Sequence, residues 1–199
     1  MARRKTYHHG NLREALIEAS LNLIEESGPK ALTLREAARR AGVSHNAPYR
    51  HFEDKDDLLA AIAAEGFDRL TETMEKRIAT GRAPIEWLTL AGRGYLEFAL
   101  EAPSHYAVMF GLQFDSKRYP ALAAAGERAF AVLLRCIEDC RAAGAIACDD
   151  VLQCARVAWT LVHGIATLVL SGQLGVPKEQ AMTFAQRAME MLREGLQPR

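Results

Sequence analysis

The chain has 199 residues, of which 49% are hydrophobic and 25% are charged, and its formal net charge at pH 7 is zero. This composition excludes disordered and collagen-like classes, and the length allows one sizeable core together with a small additional domain. Charge is nevertheless unevenly distributed, because residues 1–55 carry ten Lys and Arg against seven Asp and Glu and the rest has a matching acidic excess. No window shows the alternating β-branched pattern of a strand, so we expect an all-α fold.

Residues 1–10 are predicted to form a basic, flexible arm. Arg3, Arg4 and Lys5 lie in it, and no acidic residue occurs among the first thirteen. Such an arm suits binding to nucleic-acid phosphates with release of counterions, although a solvated tail has the same composition. The basic residues are followed by Thr-Tyr-His-His-Gly instead of an apolar run, which argues against a secretory signal and favours a cytoplasmic protein.

The first helix is predicted to begin at Asn11, where Glu14 completes a capping pattern, and to end at Gly28-Pro29. Its apolar stripe consists of Leu12, Ala15, Leu16, Ala19, Leu23 and Ile24. We expect this stripe to pack against the next helices and to complete a three-helix domain over residues 11–54.

Residues 33–52, TLREAARRAGVSHNAPYRHF, predict two short helices joined by a tight turn. Thr33 begins a Thr-x-x-Glu capping box, and Gly42 can adopt the positive φ that ends the first helix. Ser44 suits the N-cap of a second helix, predicted at about residues 44–52. This is the layout of a helix-turn-helix, in which the second helix enters the major groove.

A surface helical hairpin with no partner is the alternative for this segment. The second helix offers polar and aromatic side chains flanked by basic ones, instead of the Glu and Lys lattice of a solvated face, and this favours DNA. Pro48 is compatible only with the first turn of a helix, so the recognition helix is expected to be short.

Two groups of side chains are predicted to contact DNA. Tyr49, His51 and Lys55 supply a hydroxyl, an imidazole and an ammonium group beside a helix N-terminus, which together suit a phosphate. The residues at the start of the second helix, placed for base edges, are His45, Asn46 and Ala47. An Asn side chain there would favour adenine, and an Ala methyl group could meet that of thymine.

Asp54 is predicted to begin a helix that runs to about Ile78 without a linker, so that residues 55–199 form the second domain. A tilt imposed on the far end of this helix would move the helix-turn-helix, which is one physical route to control by a ligand. The residues predicted to start the later helices are Pro84, Pro103, Pro120, Val151 and Pro177.

Residues 151–171 are apolar on nearly all sides and long enough to suggest a membrane span. Gln153, Arg156 and His163, together with the lack of flanking positive charges, argue against that interpretation. A helix that is apolar all round must be covered all round, so one face should meet the domain core and the other a second subunit. With the last helix it would form a four-helix homodimer interface.

Aromatic residues of the second domain and one histidine are candidates for a cavity that binds an effector. They are Trp87, Tyr95, Phe98, Tyr106, Phe110, Phe114, Trp159 and His163. The alternative for each of them is a place in the ordinary hydrophobic core. The sequence does not indicate the identity of the effector.

Chemistry other than binding is not expected. The four cysteines at positions 136, 140, 148 and 154 lack the spacing of a metal site, and small buried side chains in a reducing cytosol are the better interpretation. The sequence contains no Gly-x-Ser-x-Gly, no His-Glu-x-x-His and no phosphate-binding glycine loop. We therefore expect no enzyme activity, no cofactor and no metal.

Over residues 8–70 the chain resembles the TetR family of bacterial transcriptional regulators. The segments that carry the resemblance are YHHGNLREALIEASLNLIEESG, ALTLREAARRAGVS and APYRHFEDKDDLLAAI, in the order and spacing of the family. The later segment AWTLVHGIATLVLSGQL, with Trp159, His163 and Gly164, resembles the C-terminal subgroup named for its Trp-His-Gly residues.

The resemblance implies a homodimer that binds a palindromic double-stranded DNA operator and represses until a small molecule binds the C-terminal domain. By position it assigns Thr33 and Arg35 to phosphates. It assigns bases to Ser44, His45, Asn46 and Ala47, and the DNA backbone to Tyr49, His51 and Lys55. Pro48 departs from the family pattern, where many members have Leu in a Thr-Leu-Tyr sequence. An all-helical ligand-binding or scaffold protein without specific DNA binding is the alternative function.

Overall fold

A computed structural model describes residues 12–195, and all regular secondary structure in that range is helical, as predicted. The α-helices are α1 (Leu12–Ser27), α2 (Leu34–Arg40), α3 (Lys55–Ile78), α4 (Pro84–Glu101), α5 (Pro103–Gly111), α6 (Pro120–Ala142), α7 (Val151–Leu170) and α8 (Lys178–Gly195). Single turns of 3₁₀-helix lie at Pro29–Ala31 and Pro48–Arg50. The predicted cap Asn11 and the basic arm of residues 1–10 lie outside the described residues.

The chain forms two compact units, each with its own buried residues. The first contains residues 12–65 together with Ser104–Leu122, and the second contains Gly66–Pro103 together with residues 123–195. The sequence placed the division at residue 55, whereas α3 continues as one helix from the first unit into the second. The sequence also did not indicate that α5 and the following loop belong to the first unit.

The first unit is built around α1, which packs against α2 and against the Pro29–Ala31 turn. Apolar side chains from three different segments are fully buried in this unit. They are Leu16, Leu32, Leu58 and Ile62. Phe52, which follows the 3₁₀ turn, is also buried. Burial of this apolar surface holds the short helix α2, which has only seven residues, in a fixed position.

Both ends of α2 have specific caps. The Oγ1 of Thr33 accepts a hydrogen bond from the Glu36 N–H at 3.1 Å, as predicted. Glu36 does not return the bond of a capping box, because its carboxylate accepts from two arginines instead. At the other end Gly42 has φ 70°, and the Val43 N–H donates to the Ala38 carbonyl at 3.0 Å. This is a Schellman motif, and it turns the chain sharply after α2.

The second unit is a helical bundle in which α4 packs against α7 and α8, and α7 packs against α8. Gly94 of α4 lies so close to α3 that a Cβ atom there would be 2.8 Å from the Met74 Cα. Only a residue without a side chain allows this approach. Asp150 caps α7 by accepting a hydrogen bond from the Gln153 N–H at 3.0 Å.

Helix α7 is long and apolar enough to cross a membrane by length and composition, and 28% of its apolar window is buried. Its buried side chains face the bundle and include Ala155, Val162 and Ala166. On other sides Val157 is 44% exposed and Leu168 is 37% exposed. The helix is therefore only partly covered within the chain.

Cys148 and Cys154 form a disulfide between the α6–α7 loop and the first turn of α7. The prediction that all four cysteines are free thiols is therefore wrong for this pair, because the loop folds back over the start of α7. Cys136 and Cys140 are free and buried, as predicted. Burial raises the pKa of the Cys136 thiol to about 12 and that of Cys140 to about 11.

Candidate functional site

The segment predicted as a recognition helix, residues 44–52, forms a series of tight turns and not an α-helix. Its backbone bonds mostly join residues three apart, from the Ala47 N–H to the Ser44 carbonyl at 2.9 Å and from the His51 N–H to the Pro48 carbonyl at 2.9 Å. Only Pro48–Arg50 is regular, as one turn of 3₁₀-helix. The prediction of a helix capped by Ser44 is therefore wrong.

Pro48 accounts for the irregular backbone. It has no N–H to donate to the Ser44 carbonyl, and its ring would clash with that carbonyl in an α-helix. The Pro48 side chain is also fully buried, so that burial of the ring favours the conformation in which the turns form. The predicted short segment is present, but in 3₁₀ geometry.

The candidates for base contact lie at the surface of these turns. Ser44, His45 and Asn46 are exposed, and Ala47 is half-buried. Because they follow the Schellman motif in a turn, they project from a loop and not from one face of a helix. The structure therefore brings the four predicted residues together, but in a geometry that the sequence did not indicate.

The candidates for phosphate contact lie before and after this loop in the sequence. Thr33, Arg35 and His51 are exposed, and Tyr49 is 54% exposed. The Thr33 hydroxyl accepts the capping bond, so its own hydrogen remains available to donate to a phosphate oxygen. The Lys55 Nζ donates to the Lys30 carbonyl at 3.1 Å. An ammonium group has three donors, so this bond still leaves two.

Two arginines of α2 are paired with acidic side chains. Arg40 donates to Glu36 at 3.0 Å and to both carboxylate oxygens of Glu26, at 2.8 and 2.7 Å. Arg39 forms a bidentate ion pair with Glu36, donating from two guanidinium nitrogens to the two carboxylate oxygens. Hydrogen bonds from these guanidinium groups lower the pKa of Glu36 to about 2, and the bond from Arg40 lowers that of Glu26.

Arg35 and Arg50 have no ion pair within the described part of the chain, and both are exposed. Sequence reasoning had selected Arg35 but not Arg50. Arg39 and Arg40 follow Glu36 at helical spacing, whereas no acidic residue precedes Arg50 by three or four positions; Glu53 and Asp54 follow it where the chain is no longer helical.

The start of α3 is fixed by Asp54. Its carboxylate accepts from the Asp57 N–H at 2.9 Å, and from Arg118 at 2.5 Å. The hydrogen bond from Arg118 is the main reason that the pKa of Asp54 is lowered. Through this pair the loop after α5 holds the helix that carries Lys55.

The predicted effector residues are distributed over both units. Tyr95, Trp159 and His163 come together in the second unit, where the Tyr95 hydroxyl lies 2.9 Å from the His163 Nδ1 and the indole ring centre 5.6 Å from the imidazole. Burial lowers the pKa of His163, which favours the neutral ring. Phe98 is buried in α4.

Aromatic pairs also form within the first unit. Tyr106 and Phe110 pack together in the first unit at 4.9 Å between ring centres, and Phe114 packs against Tyr119 at 6.0 Å in the same unit. Trp87 lines a separate cavity of about 310 Å³ in the second unit. No group of three His, Cys, Asp or Glu side chains in residues 12–195 is placed to hold a metal ion.

Comparison with known proteins places both parts of the chain in one family. Residues 16–62 match the family of bacterial regulatory proteins called tetR, and residues 88–192 match the tetracyclin repressor-like C-terminal domain. The chain belongs to the TetR family. The narrower resemblance to the Trp-His-Gly subgroup stays a prediction.

Several relatives and solved structures are similar to this TetR-family chain. A protein of unknown function from Rhodococcus sp. RHA1 is 33% identical, with a TM-score of 0.86 over 98% of this chain and 100% of that one. An uncharacterised HTH-type transcriptional regulator of Mycobacterium tuberculosis is 37% identical over 79 residues, which span 40% of each protein. The HTH-type transcriptional repressor KstR2 of Mycolicibacterium smegmatis is 27% identical over 107 residues, 53% of this chain and 50% of that protein.

The FadR regulator of Bacillus subtilis, solved with stearoyl-CoA, has the same fold. It is 19% identical, with a TM-score of 0.77 over 92% of this chain and 98% of that one. At this identity the likeness concerns the fold alone, and the ligand of that protein is not transferred to this TetR-family chain.

Proposed function

We propose that this chain is a cytoplasmic transcriptional repressor that binds a palindromic operator as a homodimer and is released by a small-molecule effector. The observation that carries the proposal is the exposed polar surface of residues 33–51, on which Arg35 and Arg50 have no acidic partner in the described structure. Free guanidinium groups beside exposed hydroxyl and imidazole groups suit the phosphates of a duplex. Family membership supports the same function.

In this proposal phosphates are bound on both sides of the loop. Thr33 and Arg35 contact one stretch of DNA backbone, while Tyr49, His51 and the remaining donors of Lys55 contact another. The residues left for base edges are Ser44, His45, Asn46 and Ala47. Because these four lie in turns, specificity comes from a loop held at the groove by the flanking phosphate contacts.

The homodimer is supported by apolar side chains that α7 and α8 leave uncovered. Val157 and Leu168 on α7 and Phe184 and Met191 on α8 are between 37% and 67% exposed. Large apolar side chains exposed on adjacent helices mark an association surface. A second copy of the same two helices would cover them in a four-helix interface.

Release by an effector follows from population shift. The effector must bind the DNA-free conformation better than the DNA-bound one, because equal affinity for both would leave the equilibrium unchanged. Helix α3 belongs to both units and is the element through which a change in the second can reach the first.

The test is DNA binding measured by fluorescence anisotropy as a function of salt. The probes are duplexes from the region upstream of the chain's own coding sequence and a scrambled duplex of equal length and composition. We expect tighter binding to one upstream duplex and a linear fall of log affinity with log salt. In the same assay Tyr49→Phe should weaken binding to all duplexes equally, because its hydroxyl is assigned to phosphate.

Absence of a specific complex at low salt, for the dimeric protein and every upstream duplex, would overturn the repressor proposal. The all-helical ligand-binding protein without specific DNA binding would then be the better description. The DNA-binding test separates these two functions even though residues 44–52 form turns and not a recognition helix.

A further inference from the structure

The cavity beside Trp87 has a size and a location suited to a small ligand. It measures about 310 Å³ and is formed by the end of α3, the start of α4 and the second half of α6. Its lining residues are Glu75, Ile78, Ala79, Gly81, Trp87, Val132, Arg135, Cys136 and Asp139. Pockets for small molecules start at about 300 Å³ and combine apolar walls with a few polar groups.

An aromatic ring forms one wall and is held in place by the chain. The Trp87 Nε1 donates to the Gly81 carbonyl at 3.2 Å, so its polar edge is already satisfied. A Cβ atom on Gly81 would lie 2.7 Å from the Trp87 ring, which means that the indole packs directly against the glycine backbone. Because the Nε1 donor is already used, the indole can interact with a ligand through its aromatic face.

The charges at the rim do not cancel. Arg135 donates to the Glu75 carboxylate at 2.9 Å, and this pair is neutral as a unit. Asp139 lies one helical turn after Arg135, but the guanidinium is directed to Glu75 and Asp139 has no ion pair in the described structure. One uncompensated carboxylate therefore faces a cavity with an aromatic wall.

The interior of the cavity contributes no compensating positive charge. Ile78, Ala79 and Val132 are aliphatic, and Cys136 is buried beside them. Because burial raises the pKa of this thiol, it stays protonated and neutral at physiological pH and serves as a polarisable apolar surface.

We propose that this cavity binds a small organic cation with an aromatic or aliphatic body, whose ammonium group lies between the Asp139 carboxylate and the Trp87 ring. A cation gains from both groups, since the face of an indole attracts positive charge and a carboxylate accepts its hydrogen bonds. That the cation is also the effector rests on the function proposed above.

The two tryptophans of the chain allow a site-specific binding assay. In Trp159→Phe the only indole lies at the cavity, and in Trp87→Phe the only indole lies outside it. We would titrate each variant with phenylbutylammonium, with neutral phenylbutanol and with anionic phenylbutanoate, and follow indole fluorescence. The expected result is a saturable change with the ammonium compound in Trp159→Phe alone.

The charge requirement is tested in the Trp159→Phe background. Asp139→Asn should weaken binding of phenylbutylammonium by about tenfold or more, the scale of a lost charged hydrogen bond. Glu138→Gln is the matched control, because Glu138 is an exposed neighbour on α6 that does not line the cavity. It should leave the affinity nearly unchanged.

Three outcomes would overturn the cation site: no saturable change at Trp87, equal affinity for phenylbutanol, or preference for phenylbutanoate. The effector role has a separate readout, which is release of the operator duplex at saturating phenylbutylammonium. Binding without release would leave the cation site intact and reject its effector role. Failure to bind any operator would instead reject the proposed function and leave the site untouched.

Discussion

Individual arginines of the first unit are distinguished by their partners and not by their exposure. Arg39 is highly exposed yet forms two hydrogen bonds with Glu36, and Arg40 is shared between two carboxylates. Arg50 has neither kind of partner in the described structure. A guanidinium that is already paired must lose that pairing to bind a phosphate, so the unpaired ones bind with less competition.

Replacing Arg50 with Gln should therefore weaken DNA binding on all sequences and reduce the slope of log affinity against log salt by about one. Arg39→Gln is the matched control, and we expect a smaller change in slope because Glu36 already neutralises Arg39. Affinity titrations at four salt concentrations measure both slopes. Equal slopes for Arg50→Gln and the wild type would show that Arg50 does not contact phosphate.

The Glu36 cluster also predicts how stability depends on pH. Hydrogen bonds from Arg39 and Arg40 lower the pKa of Glu36 from 4.5 in the unfolded chain to about 2. A lowered carboxyl pKa stabilises the fold fully above about pH 4.5, and this contribution is lost as pH falls towards 2. Urea midpoints between pH 6 and pH 3 should therefore fall less steeply in Glu36→Gln.

The control for this experiment is Glu25→Gln, an exposed acid on α1 without an ion pair in the part of the chain that the structure describes. It should retain the wild-type dependence. If Glu36→Gln and Glu25→Gln show the same pH profile, the cluster does not contribute to acid sensitivity.

At the scale of elements, residues within the first turn decide where a helix starts, and the size of the side chains between two helices decides how closely they pack. Pro84, Pro103 and Pro120 each begin a helix as predicted, since a proline in the first turn gives up no hydrogen bond. Proline has a different effect at Pro48, because the residues before it form turns and no α-helix begins at this residue.

Gly94 shows how side-chain size limits packing, because the α3 backbone lies directly beside it.

Gly94→Ala should lower the free energy of unfolding by about 1–3 kcal/mol, because the new Cβ would lie 2.8 Å from the Met74 Cα and force α3 and α4 apart. Gly126→Ala is the matched control within α6. Its Cβ would meet Phe67 at an ordinary 3.8 Å, and we expect a gain of up to about 1 kcal/mol from helix propensity. Chemical denaturation measures both, and a neutral Gly94→Ala would contradict the close approach.

At the scale of the whole molecule, the partly covered α7 connects the fold to the proposed assembly. A helix this apolar is favoured in water when other surfaces cover it, and the chain alone leaves Val157 and Leu168 of α7 exposed, as it does Phe184 of α8. A palindromic operator requires two identical reading units, so the dimer and the DNA site are parts of one proposal.

Val157→Glu should convert the proposed dimer to a monomer at micromolar concentration, because it places a charge on the exposed apolar face of α7. Sedimentation velocity measures the change, and circular dichroism should show unchanged helix content. Ala121→Glu, at an exposed position on α6, is the control and should leave the mass unchanged. A Val157→Glu protein that sediments like the wild type would contradict an interface through α7.

Most of the helices and the family were predictable because their signals are local. The Thr33 and Asp150 caps, the positive φ of Gly42 and the N-terminal prolines act within four residues, so sequence spacing alone is sufficient to locate them. The residues predicted to contact DNA also lie close together along the chain, and most of them are exposed.

What the sequence by itself determined was the order and the starts of most of the α-helices and the polar character of residues 33–51. Tertiary structure alone decided that Arg40 pairs with Glu26, fourteen positions earlier, and that Ser104–Leu122 belongs to the first unit. It also decided that Trp87 lines a cavity together with residues of α3 and α6. These outcomes depend on side chains distant in sequence, whose meeting follows from helix packing and not from local backbone preference.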